Sequence, residues 1–133
     1  MKWGRVLVAA IAAHSATLLC IVIVVTVYAF QLAFAAHGAP DQAEIARFAE
    51  SVSPALWSLL QILLTMPVTM WAVRKVERSL DLHGVLIGSV IAVIGLAVGF
   101  TLSVRALLVA VLTVGVGRLG AAIVAAKGET HRV

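Results

Sequence analysis

The ten residues "VGVGRLGAAI", Val114 to Ile123, decide how this chain is read. Gly115, Gly117 and Gly120 fit the G-x-G-x-x-G pattern of a dinucleotide-binding loop. The same stretch sets Arg118 inside a long apolar run. One reading is a phosphate cradle in a soluble α/β domain. The other is a membrane helix that carries an arginine.

The cradle reading fails on context. The glycine fingerprint works only within a βαβ unit of about 30 residues, with an acidic ribose ligand roughly 20 residues on. Only thirteen residues follow Gly120 before the chain ends at Val133, which leaves no room for a second strand or that acid. No stretch alternates like a half-buried strand.

Composition supports the membrane reading. Of 133 residues, 62% are hydrophobic and only 12% are charged, whereas soluble domains are near half apolar and a quarter charged. Mean hydropathy is +1.11. A spanning helix takes about 20 apolar residues, so the chain holds four with short connections. The net charge of +4 does not point to nucleic acid, because the basic residues sit at the chain ends and in one loop rather than along a face interleaved with aromatics. The partner this implies is the lipid bilayer. The lone Cys20 is a small packing residue, since one thiol makes neither an internal disulfide nor a zinc site. There is no asparagine to glycosylate, and the C-terminus carries no prenylation signal.

The fold expected is all-α: a polytopic membrane protein, one four-helix domain over residues 1–133. The spans fall at about 6–30, 54–73, 84–102 and 106–126. The first apolar run, Val6 to Ala36, is too long for the apolar core of a signal peptide, although Ala33-Phe34-Ala35 resembles a cleavage site. His37-Gly38-Ala39-Pro40 ends it. Residues 41–52 are expected to form a separate amphipathic helix on the membrane surface. Asp41 caps it, and Ile45, Phe48, Ala49 and Val52 share its apolar face. Ser53-Pro54 then starts the second span, and Pro67 is expected to kink it by removing a backbone donor.

Lys and Arg counts set the orientation. Lys2 and Arg5 precede the first span, Arg74, Lys75 and Arg78 follow the second, and Lys127 and Arg132 follow the fourth. The opposite loops hold only Arg47 and Arg105, so both termini are expected in the cytoplasm. The alanine-, valine- and glycine-rich composition suits a bacterial inner membrane.

Gly84, Gly88, Ala92, Gly95, Gly99 and Ser103 recur at intervals of three and four. Such a small-residue stripe lets helix backbones approach closely in lipid. Its partner is either a helix of the same chain or a second copy.

Arg118 is the one charge expected within a span. Nine residues separate it from Lys127, about 13 Å at 1.5 Å per residue. On a helical wheel it lies near Gly115, Ala121, Ala122 and Ala125, away from the bulky Leu112, Val116, Leu119 and Ile123, which aims it at the bundle or its edge. His14 and Thr65 fall at a similar depth. Arg118, His14 and Thr65 therefore form a candidate polar layer for a lipid or small anion. Snorkelling to the headgroups is the structural alternative.

Neither metal nor cofactor is expected. His14, His37, His83 and His131 fall at different depths, so no pair is placed to hold haem iron. Ser15 beside His14 points about 100° away from it on a helix. No carboxylate lies within the expected spans to drive proton exchange. The expected function is a non-catalytic accessory or scaffold component of a membrane complex, bound to a membrane-protein partner or a second copy. The alternative is a small transporter or lipid- and anion-binding protein using the Arg118–His14 layer.

Overall fold

A computed structural model describes residues 3–74, 76, 79–99 and 103–130, with the backbone alone at 99 and 128–130. Four helices follow in order: α1 Trp3–Ala35, α2 Gln42–Val73, α3 Leu80–Gly99 and α4 Val104–Thr130. Each is long and apolar enough to cross a membrane. The protein is an integral membrane four-helix bundle, and its outward faces, such as Leu7, Ile11, Leu18 and Val22 on α1, are apolar and exposed, as contact with lipid tails requires.

The separate surface helix does not exist. Residues 42–52 are the first three turns of α2, which runs unbroken for 32 residues through both Pro54 and Pro67. Proline at 54 withdraws only the hydrogen bond to the carbonyl of Glu50, and both residues are exposed, so that carbonyl has access to other donors. The side of α2 that would have rested on the membrane rests on α1 instead. Phe48 stacks on Tyr28 with ring centroids 3.8 Å apart, and the Tyr28 hydroxyl donates to Glu44 Oε1 at 3.1 Å. Asp41 caps the helix, accepting from the Ala43 amide at 2.8 Å. The turn before it is made by His37 at φ 49°, with the Gly38 amide donating back to Ala33 O at 3.3 Å, the pattern of a helix stop in the left-handed region.

The helices form two hairpins. α1 packs on α2, and α3 packs closely on α4; between the hairpins, α2 meets α4 and α3, and α1 meets α3. Among the described residues α1 and α4 do not touch. Glycine makes the α3–α4 contact. A Cβ on Gly84 would fall 2.6 Å from both Ala121 Cβ and Gly117 O, and one on Gly88 would fall 2.8 Å from Val114 Cα. Gly120 turns to the other hairpin, against Met66 and Thr69 of α2.

The bundle is tight at one end and open at the other. The core holds Val6, Ala9, Ala10 and Ala13 of α1, Ala72 and Val73 of α2, Ile87 and Ile91 of α3, and Ala121 of α4. All of these but Ile91, which lies just past the middle of α3, sit toward the end that carries the N-terminus and the α2–α3 connection. No residue of α1 beyond Thr17 is buried. At the tight end the Arg5 guanidinium donates to Ala72 O at 3.4 Å, supplying a donor near the C-terminal end of α2. Three of the buried threonines bond to their own helix: Thr17 donates to Ala13 O at 2.9 Å, Thr65 to Gln61 O at 2.6 Å and Thr113 to Val109 O at 2.7 Å, whereas the buried Thr69 hydroxyl has no partner. Each bond stays within one helix, so these hydroxyls add polarity to the interior without demanding a partner helix.

Candidate binding cleft

Where the hairpins diverge, α2, α3 and α4 enclose a cleft of about 540 Å³. That lies within the ~300–1,000 Å³ range of small-molecule sites. Its α3 and α4 walls are aliphatic and mostly small, with Ala92 and Leu96 from α3 and Val109 and Ala110 from α4, and α2 adds Pro54 and Trp57. The polar groups are unevenly placed. Ser53, Ser103 and Arg105 sit at the end nearest the α3–α4 turn, Ser58 follows with its hydroxyl donating to Pro54 O at 3.0 Å, and Gln61 lies two turns deeper than Ser53 along α2.

The shallow end suits an anion. Ser103 caps α4, its hydroxyl accepting from the Ala106 amide at 3.1 Å. Arg105 is exposed in the first turn of that helix, where the helix dipole favours negative charge. Serine at the cap therefore delivers both the arginine and the helix end to the same mouth.

The deep end is fixed by Gln61. Its side chain is only 4% exposed, and it fits because α3 has no side chain at Gly95, where a Cβ would fall 2.6 Å from the Gln61 amide nitrogen. Gln61 Nε2 donates to Ile91 O at a long 3.4 Å. A carbonyl can only accept, so this bond also settles which way the amide faces.

Trp57 separates the cleft from a second, narrow gap beside Ala13, His14 and Thr17. His14 Nδ1 lies 2.9 Å from Ala10 O and donates to it, which leaves Nε2 as the other ring nitrogen. That atom and the Trp57 indole N–H are buried without hydrogen-bond partners, although the two rings stand 5.8 Å apart.

The three residues read as a polar layer do not converge. Thr65 is fully buried in α2 and engaged with its own helix. His14 faces Trp57 of α2. Arg118 is exposed on α4, the helix that α1 does not reach. It is also shallower than sequence spacing implies. Its neighbour Gly117 faces Gly84, only four residues inside the start of α3, about 6 Å at 1.5 Å per residue. The exposed Arg74 and Asp81 at the adjacent helix ends mark the polar rim, which a long arginine side chain reaches by snorkelling. α4 continues past this rim, and the count back from Lys127 therefore overstates the depth.

Of the stripe, Gly84 and Gly88 face α4, Gly95 faces Gln61, and Ala92 is buried against the cleft. The surroundings of Gly99 lie outside the described residues. Pro67 is on the exposed side of α2.

Sequence reasoning passed over Gln61, Trp57 and the placement of Arg105. The signal for Gln61 was present, since it is the one amide side chain between Ser53 and Arg74. Its significance depends on Gly95, thirty-four positions on. Among the described residues no group of three metal-ligating side chains comes together. Comparison of the chain with known protein families, curated proteins and solved structures finds no match.

Proposed function

We propose that this is a non-catalytic membrane component, an accessory or scaffold protein rather than an enzyme, whose distinctive act is to hold one anionic amphiphile. The observation that carries this reading is the cleft itself: an apolar slot between two hairpins with Arg105 at its mouth. A carboxylate or phosphate head meets the guanidinium and the α4 N-terminus, and the chain lies along Ala92, Leu96, Val109 and Ala110. Charge-assisted bonds to arginine are among the stronger protein hydrogen bonds, and the chain gains little beyond what lipid already offers it. Head recognition therefore sets the affinity.

The polar layer of Arg118, His14 and Thr65 is replaced in this reading by Arg105 and Gln61. The basic residues favour an orientation with both termini in the cytoplasm, which opens the cleft mouth toward the outer leaflet. The composition suits a bacterial inner membrane. A membrane-protein partner or a second copy remains the natural receiver of the held molecule.

Equilibrium binding of radiolabelled stearate to the protein in nanodiscs tests the reading. Saturable one-to-one binding that Ala110→Trp weakens at least tenfold supports it. Unsaturable partition, equal in wild type and variant, overturns it.

A further inference from the structure

We propose that the cleft selects an anionic acyl chain carrying a hydroxyl near its middle. This rests on the reading of the cleft as an amphiphile site and specifies its ligand. Gln61 Nε2 spends one of its two N–H bonds on Ile91 O, so the amide oxygen and one N–H remain to recognise something. A group that both donates and accepts can meet the two together, and a hydroxyl is such a group that an acyl chain carries.

The spacing fixes where that hydroxyl falls. Ser53 stands at the mouth with Arg105, and Gln61 lies eight residues along α2, an advance of about 12 Å. An extended chain advances roughly 1.2 Å per bond, as the ~3.6 Å spanned by three backbone bonds implies. The hydroxyl then sits about ten bonds from the head. Between the two polar points α2 presents Trp57 and Ser58, the serine hydroxyl donating to Pro54 O at 3.0 Å, and the facing walls of α3 and α4 are aliphatic, which matches unbroken methylenes.

Gly95 is the structural reason the second point exists. Any side chain there would collide with the Gln61 amide and displace it from the cleft floor. The buried glutamine and the missing Cβ together make a fitted acceptor at the bottom of an apolar slot, which a purely hydrophobic ligand would leave unmatched.

The test compares stearate, stearate with a mid-chain hydroxyl, stearate with a mid-chain ketone, and stearyl alcohol, each bound to the protein in nanodiscs. The hydroxylated acid binds roughly three- to tenfold tighter than stearate, the gain of one hydrogen bond. The ketone, which only accepts, can meet the remaining N–H but not the amide oxygen, and gains less than the hydroxyl. Gln61→Leu brings the ratio of hydroxylated to plain acid to one, and Gln61→Met does the same if the leucine variant does not fold. Arg105→Gln removes the preference of acid over alcohol. Stearate binding without a hydroxyl preference, or a preference that survives at Gln61→Leu and Gln61→Met, overturns this inference and leaves the amphiphile reading standing. Absence of saturable stearate binding overturns that reading as well.

Discussion

Gly84 of α3 and Gly117 of α4 meet backbone to backbone, each so close that a Cβ on either would fall 2.6 Å from the other's carbonyl oxygen. Neither backbone can give way without parting the helices. Gly84→Ala is therefore expected to destabilise the bundle by about 1–3 kcal/mol, as overpacking does. Gly115, with nothing within 4 Å of its ideal Cβ, is the control. Gly115→Ala should leave stability unchanged or raise it by up to about 1 kcal/mol, the helix propensity difference. Thermal or denaturant unfolding in a single detergent compares the two.

Gly95→Ala is expected to fall between them. The atoms it meets are the flexible end of Gln61, which can swing aside. The helices stay in place, and the bond from Gln61 to Ile91 O is lost. A stability loss of about 0.5–1.5 kcal/mol with an intact fold is the expected result of the same unfolding assay.

Arg118→Leu should leave stability within about 0.5 kcal/mol of wild type, because the side chain is exposed near the polar rim. A loss of 2 kcal/mol or more, roughly the penalty for orphaning a buried partner, would place the guanidinium inside the bundle instead. Differential scanning of the purified variant distinguishes the outcomes.

The continuity of α2 is open to direct measurement. Spin labels at Glu44 and Leu63 lie nineteen residues apart, about 28 Å along one helix. A pulsed dipolar distance near that value, broadened by the label arms, matches the unbroken helix. A helix lying flat on the membrane and bent at Pro54 would bring the labels markedly closer.

Much of this fold is legible in the sequence. Hydropathy marks four helices, because a membrane segment must be long, apolar and helical for every backbone group to be satisfied. Ser53-Pro54 misleads, since the same pair that starts a helix is tolerated within one when the freed carbonyl is exposed. What turns residues 42–52 into part of α2 is their contact with Tyr28, a long-range pairing that local rules do not see. The glycine stripe reads as helix contact, yet it does not say that Gly84 packs against α4 and Gly95 against a glutamine. The cleft is hidden for a similar reason. Arg105 reads as a topology signal and Gln61 as an isolated polar residue, and only the divergence of two hairpins puts both in one cleft.

Where a bound acyl chain lies is the most direct evidence for the cleft as a binding site. A photoreactive stearate, with its diazirine in the distal half of the chain, is crosslinked to the protein in nanodiscs and the adducts are mapped by mass spectrometry. Labelling is expected to concentrate on the cleft walls of α2, α3 and α4, around Leu96, Val109 and Ala110, and to be competed by unlabelled stearate. Adducts spread over the lipid-facing side of α1 at Leu18, Val22 and Ile23, with no competition at the cleft, would contradict it.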